Sequence, residues 1–157
     1  MTLPLGKGRA ARLVTDVLID THVLAWSLVA PAMLGLEVRA LLTGGGAVYV
    51  PPCAFHEITL KVRKGRWNEM APHAGRLDAL SAAQGFRVAP YTARMAMLAG
   101  SMDWDHADPF DRMIGATALE TALPLVSKDA AFDGLKGDPA WRGRVWGRAE
   151  NEGPDGG

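Results

Sequence analysis

The chain has 157 residues, 48% of them hydrophobic and 22% charged, with 17 basic residues against 17 acidic ones. A chain of this length buries about 68–70% of its unfolded surface and stands on one core without staples; its balanced charge excludes a protein that grips nucleic acid by bulk charge alone, leaving only a local basic patch. The single cysteine, Cys53, excludes an intramolecular disulfide and any zinc site built on cysteine pairs, and a cytoplasmic location is expected.

Residues 1–13 form a small, basic, glycine-containing extension without the apolar run of a secretory leader. Val14 to Ile19 is short, rich in β-branched residues and followed by an acid, which predicts a first strand. Thr21 to Ala30 is apolar on most sides and predicts a buried helix. Asp20, Thr21 and His22 interrupt the apolar stretch Val17 to Ala30, so no membrane span is expected. Apolar residues at 33, 34, 38, 41 and 42 predict a helix over Pro31 to Leu42, stopped by Gly44-Gly45-Gly46. Ala47 to Val50 reads as a second strand, bounded by Pro51-Pro52.

Residues 53–64 have the pattern of an amphipathic helix with prolines ahead of its first turn. A weaker helix follows over 72–84, then a strand over Phe86 to Ala89 and a helix over Tyr91 to Met102. Pro109 to Thr121 is a strong helical pattern ended by Ala122-Leu123-Pro124. Leu125 to Ser127 predicts a fourth strand, Asp129 to Leu135 a short helix, and Arg144 to Trp146 a fifth, edge strand. Residues 148–157 read as a flexible tail. Short strands alternating with helices imply an α/β domain over 14–147, with a mainly parallel sheet of four to five strands and helices on both faces.

In such a sheet, ligands bind outside the carboxyl ends of the strands. Asp20 follows the first strand directly and Asp129 follows the fourth. Asp111 sits in the first turn of the helix before that strand, and Glu57 lies in the helix after the second. Four acids far apart in sequence thus have a route to one rim.

The segments carrying them resemble a known family. Val17-Leu18-Ile19-Asp20-Thr21-His22 looks like the opening of a PIN domain. Phe55-His56-Glu57-Ile58-Thr59-Leu60-Lys61 resembles the helix of the second acid in VapC toxins. Asp108-Pro109-Phe110-Asp111-Arg112-Met113-Ile114-Gly115-Ala116 resembles the helix of their third acid, and Leu125-Val126-Ser127-Lys128-Asp129 the turn of their fourth. The resemblance spans roughly residues 14–147. Ser127 stands where Thr is frequent and keeps the hydroxyl; Gly115 stands where Ala is common and weakens the helix slightly.

The resemblance implies a three-layer PIN-like fold and metal-dependent endoribonuclease action. Carboxylates about 4 Å apart repel by roughly 1 kcal/mol per pair in water and about 4 at an effective dielectric of 20, and a hard divalent ion such as Mg²⁺ or Mn²⁺ removes that penalty. On this reading Asp20 and Asp111 ligate the ion, Glu57 and Asp129 complete the shell through water, and Ser127 hydrogen-bonds behind them. Lys61, Arg63, Lys64, Arg66 and Arg112 would meet RNA phosphates beside the acids, and Trp67 and Trp104 would stack on bases. The family also implies a VapB-like antitoxin partner, expected on exposed apolar residues of Pro31–Leu42 and Phe55–Trp67, and a homodimer.

Each acid taken alone has a plainer role. Asp20, Asp108 and Asp129 are good helix caps, and Glu57 with Lys61 forms an i,i+4 pair. His56-Glu57 lacks the second histidine of a metalloprotease helix, since position 60 is Leu. His22, His73 and His106 have no metal-ligand spacing and are assigned to surface or core packing. A catalytically silent PIN-fold module that binds RNA or protein is the alternative; it predicts no metal binding that depends on Asp20 and Asp111.

Overall fold

A computed structural model of the chain describes residues 14–147; the extension at 1–13 and the tail at 148–157 lie outside the described residues. Five strands, β1 (Val17–Ile19), β2 (Val48–Val50), β3 (Arg87–Val88), β4 (Leu125–Val126) and β5 (Arg144–Val145), pair in the order β3-β2-β1-β4-β5. Every pairing is parallel. The helices are α1 (Thr21–Val29), α2 (Leu36–Thr43), α3 (Pro52–Arg63), α4 (Leu77–Ala83), α5 (Ala93–Ser101) and α6 (Pro109–Thr121).

Strand alternation divides the core into two layers. Val17, Ile19, Val48, Val50 and Val126 face one side and pack with Val23 and Leu24 of α1, Val38 of α2 and Ile58 of α3. Leu18 and Leu125 face the other and pack with Ile114, Ala118 and Phe132. The register agrees, because Leu18 pairs with Leu125 and Ile19 with Val126. All three residues of β1 are fully buried, as expected for a central parallel strand covered on both faces. The three-layer α/β architecture expected from the sequence is therefore present.

Local chemistry sets the boundaries. Asp20 caps α1, Thr92 caps α5 and Asp108 caps α6, each accepting a backbone N–H three residues on. Gly46 lies against the backbone of Thr15, where a Cβ would come within 2.1 Å of the Thr15 carbonyl oxygen, so only glycine brings the chain into β2.

Three segments depart from expectation. Pro31 to Leu42 is not one helix: a 3₁₀ turn over Pro31–Met33 is separated from α2 by extended backbone at Leu34 and Gly35. Gly35 is a poor helix former, and it breaks the segment although the apolar spacing continues across it. The weaker helix over 72–84 is a 3₁₀ turn, Ala74–Arg76, followed by the shorter α4. The segment after Asp129 is 3₁₀ rather than α, over Ala130–Leu135.

Candidate active site

β1 ends at Ile19, and the chain turns into α1 at Asp20. The Oδ1 of Asp20 accepts the Val23 N–H at 2.9 Å. The Ser127 hydroxyl, fully buried at the end of β4, also hydrogen-bonds the Asp20 carboxyl. Ser127 Oγ in turn accepts the Asp129 N–H at 3.0 Å. One hydroxyl thus couples the acids that follow two neighbouring strands. Asp20 is only 6% exposed, and burial pushes its pKa up to about 6 against the lowering effect of those two hydrogen bonds; the charges of Glu57 and Asp129 raise it further.

Asp129 itself is exposed and caps the following 3₁₀ turn through Ala131 N–H. Glu57 projects from α3 and is 5% exposed, with its Oε2 2.5 Å from Lys61 Nζ. That cation lies 5.5 Å from the ring centroid of Trp67. Trp67 packs on His22 at 5.0 Å, and His22 on Trp26 at 5.6 Å, forming an aromatic wall on the α1–α3 side of the rim.

On the opposite side Asp111 occupies the first turn of α6. Its N–H is taken by the Asp108 cap, and its Oδ2 lies 2.6 Å from His106 Nε2. Burial raises Asp111 to about 6 against the lowering hydrogen bond from His106, with Asp108 and Glu57 raising it further. An imidazole nitrogen of His106 and carboxylate oxygens of Asp111 and Asp129 all lie within 4.8 Å of one another.

The four acids gather near the carboxyl ends of β1 and β4: Asp20 feels the charges of Glu57 and Asp129, Asp111 feels that of Glu57, and Asp111 and Asp129 approach one point. Two carboxyls are raised to about 6 chiefly by burial, with neighbouring acids adding to it and no cation in ion-pair contact with either except His106 beside Asp111, among the described residues. Oxygen donors in that state suit a hard divalent cation, so the residues fit a metal of the magnesium or manganese kind.

The basic residues divide. Arg63, Lys64 and Arg66 are exposed at the end of α3, and Lys61 is half-buried on Glu57. Arg112 does not face phosphate. Its guanidinium donates to the carbonyls of Ala99, Met102, Trp104 and His106 at 2.6–2.9 Å, which engages four of its five N–H groups. It is a clamp on the loop before α6. Trp104 is likewise not a free stacking surface: it packs on Phe132 at 5.6 Å and closely over Gly134.

The sequence assigns His106 to surface or core packing, whereas the structure sets it against Asp111 at the rim. Its only signal was a position just ahead of an Asp-Pro helix start, which returns the chain to the same end of α6 as Asp111.

The fold is shared with solved structures at low identity. VapBC2 from Rickettsia felis, bound to a DNA fragment from its promoter, superposes with a TM-score of 0.56 at 12% identity, covering 85% of this chain and 100% of that one. FitAB bound to an IR36 DNA fragment gives 0.53 at 17% identity, covering 86% and 99%. A domain of a functionally unknown protein from Methanocaldococcus jannaschii gives 0.56 at 19%, covering 88% and 95%. No curated protein sequence matches significantly. The PIN domain profile matches residues 17–137, from the first residue of β1 past the turn that follows Asp129, so all four rim acids lie inside it and the chain belongs to the PIN domain family.

Proposed function

We propose that the chain is a metal-dependent endoribonuclease and the toxin member of a toxin–antitoxin pair. The observation that carries the reading is the rim itself, where Asp20 and Asp111 are both pushed up to about 6 beside Glu57 and Asp129. Such a cluster is unfavourable for the empty protein and is relieved by a bound cation.

Mg²⁺ or Mn²⁺ held there would supply Lewis-acid charge at a phosphoryl oxygen and ease deprotonation of the attacking water. Asp20 and Asp111 would hold the ion. Glu57 and Asp129 would reach it through water and orient the nucleophile for in-line attack at phosphorus. Ser127 keeps the Asp20 carboxyl pointed by donating its hydroxyl. Arg63, Lys64 and Arg66 would take phosphates of the RNA, while the Lys61 charge is engaged by Glu57. Trp67, on the same side, is the candidate for base stacking.

A VapB-like antitoxin would cover apolar surface exposed on the Pro31–Leu42 segment. Met33 and Leu36 are 52% and 69% exposed on the Pro31–Leu42 segment. Beside them lies a cavity of about 180 Å³ lined by Pro31, Leu34, Leu42 and Phe86 among others. A homodimer is part of the same proposal.

The test is cleavage of mixed structured and unstructured RNA by the purified chain with Mg²⁺ or Mn²⁺, alongside an Asp20→Asn, Asp111→Asn double variant. Cleavage by the wild type alone is the expected result. Metal binding that is equal in both proteins, with no cleavage by either, would overturn the reading in favour of the silent module.

A further inference from the structure

The loop from Met102 to Asp108 carries no regular structure, yet it is held at several points. Arg112 donates to the carbonyls of Met102, Trp104 and His106. The Trp104 ring lies 4.8 Å from the His106 ring at 34°, and its other contacts, to Phe132 and Gly134, seat it against the core. Gly134 is necessary for that seat, because a Cβ there would stand 2.7 Å from the Trp104 indole nitrogen. The imidazole is therefore positioned by a stack from one side and a clamped backbone from the other, and its side chain remains 28% exposed.

Helix capping does not require this histidine. Asp108 already takes the Asp111 N–H, so the contact between His106 and Asp111 Oδ2 is additional to the start of α6. It is also not an isolated pair, since the Asp129 carboxylate converges on the same point from a different element. One nitrogen and two oxygens from three separate segments face one point, with Asp129 placed to reach an ion there through water, whereas an ordinary surface ion pair has two partners and no rigid backing.

The geometry points to His106 as a nitrogen ligand of the metal at this site, biasing it toward transition ions such as Mn²⁺ over Mg²⁺. The inference rests on the metal site proposed above and deepens it. Imidazole suits first-row transition ions, whereas Mg²⁺ holds to oxygen donors and water. An all-carboxylate rim would discriminate weakly between Mg²⁺ and Mn²⁺; adding one imidazole raises affinity for the second ion selectively.

Pulsed electron paramagnetic resonance on the Mn²⁺-loaded full chain reads this directly, through modulation from a directly bound ¹⁴N nucleus. The expected result is ¹⁴N coupling in the wild type and in His22→Ala, whose ring is exposed at the same rim, and its loss in His106→Ala and His106→Asn. Asn retains an amide able to hydrogen-bond Asp111 but offers no imidazole, so it separates ligation from positioning. Calorimetry should show the Mn²⁺ Kd rising at least about tenfold in both His106 variants, with the Mg²⁺ Kd moving less than about threefold. Circular dichroism establishes that each variant is folded, and Asn serves if Ala does not fold. Mn²⁺ binding that needs Asp20 and Asp111 but shows no ¹⁴N coupling would overturn the role of His106 and leave the four-acid site standing. Mn²⁺ binding indifferent to Asp20 and Asp111 would overturn the site and this inference together.

Discussion

Asp20 and Asp111 stand on opposite sides of one rim and carry nearly the same charge state, both raised to about 6 by burial. Their supports differ. Asp20 is fixed by regular structure: it ends the central strand, caps α1, and receives the hydroxyl of Ser127 from the neighbouring strand. Asp111 is fixed by irregular structure: a loop clamped by Arg112, a stacked pair of Trp104 and His106, and a glycine that admits the indole. Regular elements deliver an acid to the rim with few dependencies. The loop side needs a chain of contacts, and a failure at any of them reaches the acid.

The comparison breaks most sharply at Asp20. Asp20→Asn keeps a good helix cap and removes a buried charge, so the fold should be at least as stable as the wild type in a melting experiment. Cleavage of RNA should fall by more than about 100-fold, beyond what loss of an outer hydrogen-bond partner produces. A variant that melts lower and still cuts would show that Asp20 is only a cap.

Arg112→Ala tests the other side. Four carbonyls lose a charged donor, and roughly 3 kcal/mol of stability should go with them, read by chemical denaturation. Arg112→Lys should recover little, because one ammonium cannot reproduce the fork. Hydrogen exchange should rise along Met102–Asp108 and leave β1 and β4 unchanged.

The two acids also predict a pH dependence. Their folded pKa values of about 6 lie above the ordinary 3.8, so between those values the folded chain binds more protons than the unfolded one. Metal-free protein should therefore gain stability as pH falls from 7 toward 4, on the order of 2 kcal/mol for a fully buried group such as Asp20. Asp20→Asn and Asp111→Asn should each remove their share of the slope, and saturating Mn²⁺ should flatten it. A slope that survives both substitutions would place its origin elsewhere.

Gly134→Ala is the smallest change. The added methyl meets the rigid Trp104 ring and should destabilise by about 1–2 kcal/mol, the usual penalty of overpacking. The indole resonance of Trp104 and the ring resonances of His106 should shift in nuclear magnetic resonance spectra, while the amide signals of Asp20 and Val23 stay in place. Equal shifts on both sides would erase the distinction between them.

The same division explains what the sequence alone makes visible. The inner strands β1, β2 and β4 are short apolar runs punctuated by acids, glycines and prolines, and burial on both faces leaves little choice of side chain there, whereas the edge strands Arg87–Val88 and Arg144–Val145 are exposed or half-buried and show through their flanking residues. Pro109 to Thr121 is found to the residue, since Asp108 and Pro109 start it and Pro124 follows its end. Three of the four acids are visible because each sits where a strand or helix begins or ends; Glu57, in the middle of α3, shows only through the run of residues around it. Arg112 misleads because a guanidinium beside an acid looks the same in sequence whether it faces phosphate or the carbonyls of a preceding loop. His106 escapes because the acids it meets, Asp111 and Asp129, come from α6 and from the turn after β4, and no periodicity links them. The break at Gly35 escapes because the apolar spacing runs on through it.

The central strand is also the earliest to be synthesised. β1 pairs on one side with β2, but its other neighbour, β4, follows only after more than a hundred further residues, with Leu18 waiting for Leu125. At translation speeds of about 5–20 residues per second, that interval is roughly 5–20 s. During it the nascent chain carries Asp20 and Glu57 with an open sheet edge and without Ser127, Asp129 or the α6 acid. Long-range pairing of this kind is slow to close. An emerging chain therefore holds half a rim, and assembly of the whole is gated by its last strands, so that a ribosome stalled midway would display a fragment with no complete acid cluster.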